Sequence, residues 1–312
     1  MNDVGESIAE ALGQEAFSLS PVDPAAFSLR SFGPIWHDFQ HHELMQLPRL
    51  AQLARDLMPS RQCRFAAKPL TQTSEFLHVP RPPEGLTVDE VFERIAEPGS
   101  WVALYNVQTD PAYADFLLQV LGSARPLLAA EGLQILHATG FIFLSAAPAF
   151  TPFHIDRENN FWLQIRGRKI LTAFDHRDRE LVPAADVEDF IVHGSLEGVR
   201  LSDAGRARGR VFEVGPGDGV YFPSTTPHMT ETPLAAGGAS NMSISIGVNF
   251  YTDVTRRHAR VHQCNRVLRG LGLRPQGPGL SAWSDACKAP LGWAIASARA
   301  RWRSYLAPPF AY

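Results

Sequence analysis

Residues 151–173 read TPFHIDRENNFWLQIRGRKILTA, and their alternation sets the expected fold. FWLQI (161–165) and KILTA (169–173) are short apolar runs separated by Arg166, Gly167 and Arg168. That is the pattern of two strands joined by a tight turn. The pattern continues on both sides. GFIFLS (140–145) comes before; VFEVG (211–215), GVYFP (219–223) and SISIGVNFY (243–251) come after. Glycine, proline and acidic turns separate these runs. Several short strands punctuated this way predict an antiparallel sandwich or barrel over 134–253.

The flanks read as helices. Leu44, Leu47, Leu50, Leu53, Ala54 and Leu57 recur at three- and four-residue spacing, which predicts a helix from His42 to Met58, stopped by Pro59. Thr87 is placed to cap a helix over Val88–Ala96. WVALYNV predicts a strand over Trp101–Val107, and helices follow over 112–121 and 125–131. Beyond Tyr251, a basic amphipathic helix is expected over Val254–Leu271 and another over Ala294–Tyr305. Residues 1–35, with Pro21, Pro24 and Pro34, read as a loose lead-in. Residues 64–85 read as irregular or as short strands. Residues 175–210 read as a charged loop able to cover a site entrance. No linker separates helices from strands, so one α+β domain with a mainly β core is expected over 1–312. Its parts are helical and strand support (1–133), the β core (134–253) and C-terminal helices (254–312).

The 312 residues are 45% hydrophobic and 20% charged, ordinary for a soluble chain able to bury a sizeable core. A net charge of −3 argues against a broad basic face for nucleic acid. Cys63, Cys264 and Cys287 form no CxxC pair and are expected as free thiols in a reducing cytosol. MNDVGESIAEALGQEAF has no basic region followed by an apolar run, so no secretory signal is expected. No apolar stretch reaches the roughly 20 residues of a membrane span. The expectation is a cytoplasmic protein with no nucleic-acid or membrane partner.

In a strand, His154 and Asp156 project to one face and can reach one ion. Phe150, Phe153, Phe161 and Trp162 surround them, and polar groups buried there without partners would cost several kcal/mol. Downstream, VGPGDGVYFPSTTPH (214–228) is a turn, a strand and a loop that delivers His228. Two imidazoles and one carboxylate make the facial triad that leaves positions open on Fe(II) for a co-substrate and O₂. With no thiolate in the set, a closed structural zinc site is disfavoured. His37, His41, His42, His176, His193, His258 and His262 read as solvated or hydrogen-bonded imidazoles; His137 has no assigned role.

Five pieces in order, namely GFIFLS, TPFHID, NNFWLQIRGRK, GPGDGVYFPSTTPH and SISIGVNFY, resemble the cupin-like branch of the jumonji-C oxygenases. That family includes the asparaginyl hydroxylase that modifies hypoxia-inducible factor. The resemblance covers about 120 residues and implies a double-stranded β-helix, or jelly-roll barrel, with outer helices. It implies Fe(II) on His154, Asp156 and His228, with 2-oxoglutarate and O₂ as co-substrates. It places Lys169 and Thr151 at the distal carboxylate of the oxoacid. A lysine inside a barrel does call for an anionic partner. Arg166 and Arg168 rank below it as the anchoring cation. Tyr105 resembles a tyrosine that donates to the oxoacid. Asn160, Gln164 and Asn249 match polar positions lining the family's site, while Trp162 serves the core or the pocket wall.

The implied activity is hydroxylation of a side chain on a protein, peptide or amino acid. The alternatives are a tailoring oxygenase for a small metabolite and a non-catalytic metal-binding regulator. The stripe Val261, Val267, Leu268 and Leu271 packs either on the chain's own barrel or in a homodimer through the C-terminal helices.

Overall fold

The alternation in MSISIGVNFYT (242–252) decides what lies on each side of the central sheet. In this computed structural model, which describes residues 17–66, 78–234 and 241–306, Ile244, Ile246, Val248 and Phe250 all join the main core. Ser243, Ser245, Gly247 and Asn249 take the opposite face, as the two-residue period of a strand requires. Residues 1–16 of the expected lead-in and 67–77 of the proline-rich stretch lie outside the described residues.

Thirteen strands occur among the described residues. Five precede the expected core: β1 (Leu19–Pro21), β2 (Gly33–His37), β3 (Cys63–Ala66), β4 (His78–Val79) and β5 (Trp101–Leu104). Eight form it: β6 (Ile135–Ala146), β7 (Ala149–His154), β8 (Asn159–Arg166), β9 (Lys169–Ala173), β10 (Arg210–Val214), β11 (Asp218–Phe222), β12 (His228–Thr232) and β13 (Met242–Thr252). One sheet runs β1-β2-β11-β8-β13-β6-β5-β3-β4 and the other β10-β9-β12-β7. Every pairing is antiparallel. From β6 onward the chain passes back and forth between the sheets, and only β9 and β10 follow one another in the same sheet. The turn between β8 and β9 needs Gly167. Its φ is 69°, and a Cβ there would lie 2.1 Å from the Met242 carbonyl oxygen.

Eight α-helices are described: α1 (Leu47–Leu57), α2 (Val88–Glu93), α3 (Pro111–Ser123), α4 (Arg125–Ala130), α5 (Ala184–His193), α6 (Asp203–Arg206), α7 (Asp253–Gly270) and α8 (Ala282–Leu306). Leu50 and Leu53 of α1 and Phe116, Leu117 and Val120 of α3 share one core with the apolar face of β13. Thr87 caps α2 in a reciprocal capping box with Glu90, as its sequence signature predicts.

Several boundaries differ from the sequence expectation, each for a local reason. His42 accepts the Leu44 N–H and holds 43–45 in a 3₁₀ turn, so α1 starts at Leu47 with Pro48 in its first turn. The strand expected to reach Val107 stops at Leu104, because Asn106 is left-handed (φ 52°) and opens a 3₁₀ turn. The end of the lead-in is sheet: residues 33–35 open β2 (Gly33–His37), in which Ile35 and His37 are fully buried. The charged segment 175–210 holds α5 and α6. Val187, Phe190 and Ile191 sit at helical spacing and pack with Ile155 and Phe174.

The C-terminal stripe divides. Val261 is buried, whereas Val267 and Leu271 are exposed. α7 lies between α8 and α5 rather than on the sheets alone. Arg269 forks onto Glu188 with two bonds of 2.9 Å, and Arg266 reaches Asp189 at 2.5 Å. The three cysteines are free; Cys63 and Cys264 are buried and Cys287 is exposed. No helix among the described residues is long and apolar enough to cross a membrane.

Candidate metal centre

β7 ends at His154 and β12 begins at His228, and the two are directly opposed across the antiparallel pair. Asp156 follows one residue beyond the Ile155 that anchors in the core. One ligand atom from each of His154, Asp156 and His228 lies within 4.8 Å of the others. Asp156 Oδ2 is 3.9 Å from His154 Nε2 and 3.6 Å from His228 Nε2. An octahedral ion with bonds of about 2.1 Å spaces neighbouring ligand atoms about 3 Å apart, so the two Asp156 separations are each within about 1 Å of that spacing.

Orientation comes from the backbone. His154 Nδ1 is 2.8 Å from the Pro152 carbonyl and His228 Nδ1 is 3.0 Å from the Thr226 carbonyl. Each Nδ1–H is thereby committed, and Nε2 is the nitrogen turned toward Asp156, the outer arrangement that metal-bound imidazoles require. Burial and the neighbouring His154 push the His228 imidazole down to about 4, against the pull of Asp156. It is therefore neutral, the form that binds metal. The loop before His228 is tied to the other motif: the Thr225 N–H donates to the Asp156 carbonyl at 2.8 Å. Thr225 is left-handed at φ 62°, a conformation that non-glycine residues adopt only where their surroundings enforce it.

The three residues line a cavity of about 190 Å³. Lys169 lies on the same cavity, buried at the start of β9. Its one hydrogen-bond partner among the described residues is Ser145 Oγ, at 3.3 Å. Ser145 Oγ lies 2.8 Å from Thr232 Oγ1. Burial pulls the Lys169 ammonium down to about 8, and no carboxylate among the described residues pairs with it. A buried cation without an anion marks a place for an anionic ligand.

Thr151, Asn160 and Tyr105 also line the cavity. The Tyr105 hydroxyl is 3.5 Å from His78 Nε2. Burial and the charge of Asp156 raise its phenol above the usual range. Asn160 Oδ1 is buried without a hydrogen-bond partner among the described residues. Gly247 leaves room for that side chain, since a Cβ there would come within 3.0 Å of Asn160 Nδ2. Asn249 is directly opposite Asn160 on the neighbouring strand and does not itself line the cavity. Gln164 is not a lining residue either. Its Nε2 is spent on the Arg166 and Gly167 carbonyls and on Ser243 Oγ, fastening the β8–β9 turn. Trp162 joins both the cavity wall and a core cluster. Arg166 is exposed and Arg168 pairs with Glu213 on the surface. His37, His42 and His262 are buried and lie away from the cavity.

Sequence reasoning missed Ser145, Thr230 and Ser245, and Phe190 and Leu196 of the 175–210 segment, all of which border or support this cavity. The inner-face series Ser243, Ser245, Gly247, Asn249 was a usable signal for Ser245. Val187, Phe190 and Ile191 were a usable signal for α5.

No family model matches the chain, and no curated protein matches it. Solved structures of YcfD from Escherichia coli show a partial likeness. One, at 15% identity and a TM-score of 0.49, covers 90% of this chain and 68% of that one. Another, described as a ribosomal oxygenase in complex with cobalt and succinic acid, has 14% identity and a TM-score of 0.44, covering 89% and 67%. At these values the likeness carries neither fold nor activity across. Nor does it lend support to the narrower resemblance to an asparaginyl hydroxylase.

The donor set itself suits a divalent non-haem iron. It offers two imidazole nitrogens and one carboxylate oxygen to the cavity, with no thiolate among them.

Proposed function

We propose that the chain is an Fe(II)- and 2-oxoglutarate-dependent oxygenase of the jumonji/cupin type that hydroxylates a side chain of a protein, peptide or amino acid. One observation carries the proposal: the His154, Asp156, His228 group shares a cavity with a buried lysine that has no counter-ion among the described residues. A structural metal site would need the first feature and have no use for the second. The passage of β6–β13 between two antiparallel sheets supports a double-stranded β-helix. The continuation of one sheet into β1–β5 supports a single domain across the chain.

When bound, Fe(II) with 2-oxoglutarate and O₂ supplies the oxidising power to hydroxylate an unactivated C–H bond. The roles of this chain's residues follow from position. His154, Asp156 and His228 hold the ion. Lys169 and Thr151 bind the distal carboxylate of the oxoacid, with Ser145 and Thr232 steadying the ammonium. Tyr105 donates its phenolic proton toward the oxoacid. Its raised pKa keeps that proton in place at neutral pH. Asn160, backed by Asn249, supplies amide groups at the metal end of the sheet. Trp162, Phe141 and Phe143 keep the cavity dry.

Pockets for whole drug-sized ligands usually hold about 300–1,000 Å³. About 190 Å³ must here accept the oxoacid and the reacting group together. That favours a side chain inserted from outside over a bulky metabolite. Purified protein with Fe(II) and ascorbate should convert 2-oxoglutarate to succinate, and Asp156→Ala should abolish conversion while keeping the fold. Conversion by Asp156→Ala at the wild-type rate would overturn the assignment.

A homodimer through the C-terminal helices belongs to the same proposal. Trp283 is 79% exposed, and Leu291 and Trp293 on the same helix are also exposed, large apolar side chains that a second copy could cover. Sedimentation of the full chain should give a dimer that Trp283→Glu weakens; a monomer at all concentrations would remove the dimer.

A further inference from the structure

The cavity has two ends, and the strands orient them. Ala173, at the end of β9, is paired with His228. Lys169 opens the same strand four residues earlier, about 13 Å away along an extended chain. The oxoacid anchor is therefore at one end and the metal ligands are nearer the other. Beyond Ala173 the chain enters the 175–210 segment, which returns to the cavity with two side chains, Phe190 and Leu196. These two are what an incoming substrate meets on the lid side.

The neighbouring charged residues Arg157 and Glu158 are already engaged. Arg157, next to Asp156, donates to the Phe190 carbonyl at 2.8 Å. Its guanidinium lies 4.9 Å from the Phe190 ring centroid. Glu158 accepts from the Tyr251 hydroxyl at 2.8 Å. On the lid, Asp186, Asp189, Ser195 and Glu197 line a separate surface cleft, while Leu196 between the last two faces the metal cavity. Arg157 thus clamps an apolar wall in place instead of offering its charge to the substrate.

We infer that the side chain delivered to the metal centre is aliphatic, of the leucine, isoleucine or valine class, and that Phe190 and Leu196 select it. This rests on the oxygenase proposal and names its substrate class. A charged or amide side chain entering here would shed its water against Phe190 and Leu196 with no polar partner from the lid. A branched aliphatic group fills the few carbons of space left beside an oxoacid. One methylene more or less in such a wall changes selectivity roughly 10- to 200-fold. The reaction balances as R–H + O₂ + 2-oxoglutarate giving R–OH + succinate + CO₂. One oxygen atom enters the substrate C–H bond and the other enters succinate. The C–H bond and the oxoacid each give two electrons, which together reduce O₂.

The test uses the full-length protein with Fe(II), 2-oxoglutarate and a pool of short capped peptides. Each peptide is centred on one side chain type, with methionine and tryptophan left out, and oxygen incorporation is located by mass spectrometry. Oxygen on leucine, isoleucine or valine centres is the expected result. Leu196→Asp should lower that incorporation at least tenfold, and Leu196→Ile should retain it. Binding of N-oxalylglycine to each Mn(II)-loaded protein, measured by calorimetry, checks that the variants keep their metal site. Oxygen on charged or amide centres, oxoacid consumption with no peptide oxidised, or indifference to Leu196→Asp each overturns the inference. Failure to bind N-oxalylglycine or to consume 2-oxoglutarate at all would instead sink the oxygenase proposal.

Discussion

Lys169 Nζ meets Ser145 Oγ across 3.3 Å, from β9 in one sheet to β6 in the other. The bond spans the two sheets and holds a buried ammonium in place before any anion arrives. A hydrogen bond of this kind contributes about 1 kcal/mol net. Ser145→Ala should therefore weaken N-oxalylglycine binding about fivefold and leave the circular dichroism spectrum unchanged. An unaltered dissociation constant would show that Ser145 does not position the lysine.

The Lys169 ammonium, held down to about 8 by burial, gives a pH signature. A bound carboxylate stabilises the charged form, so the pKa is higher in the complex than in the free protein. Below pH 8 both states carry the proton and affinity is flat. Above it the free protein loses the proton first, and affinity falls by up to about tenfold per pH unit. Calorimetry on both sides of that value should show the break in the native protein. Lys169→Met should bind weakly at every pH, and a native profile without the break would contradict the assignment.

The Glu188–Arg269 fork is a stability element that ties the lid helix α5 to α7. Glu188 is 1% exposed, so Arg269→Met strands a buried carboxylate, at a cost of about 3–5 kcal/mol. The urea midpoint should fall clearly, and adding Glu188→Gln should recover part of the loss. No change in midpoint would mean that α5 docks without the pair.

Gly247 tests the wall behind the metal. Alanine there must push Asn160, 3.0 Å away, by a few tenths of an ångström. Since about 1 Å of misplacement can cost about 100-fold in rate, Gly247→Ala should slow oxoacid turnover by up to about tenfold. Combined with Asn160→Ala the effects should not add, because both act on one side chain. Full additivity would mean that Gly247 matters for another reason.

The grouping of His154, Asp156 and His228 was legible in the sequence because His154 and Asp156 stand two residues apart and a turn-rich stretch leads into His228, although Asp156 lies just beyond the end of β7 and His228 opens β12. Lys169 was distinguished from Arg166 and Arg168 by the family resemblance and by the apolar strand that restarts after it. The strands β1 and β2 were hidden by Pro21 and Pro34, which look like loop residues until a partner strand pairs with them. α5 was masked by the charges around it, although Val187, Phe190 and Ile191 carry helical spacing. Gln164 misled because its place on the inner face matches a lining residue. Only the packed turn shows its amide spent on the Arg166 and Gly167 carbonyls.

The central claim is that His154, Asp156 and His228 hold an iron that a 2-oxoacid can chelate in the cavity beside Lys169. The most direct measurement is the visible charge-transfer absorption that Fe(II) gives when a 2-oxoacid chelates it, recorded without oxygen. The native protein with Fe(II) should develop the band on adding 2-oxoglutarate, and Asp156→Ala should not. No band in the native protein, or an equal band in Asp156→Ala, would contradict the account.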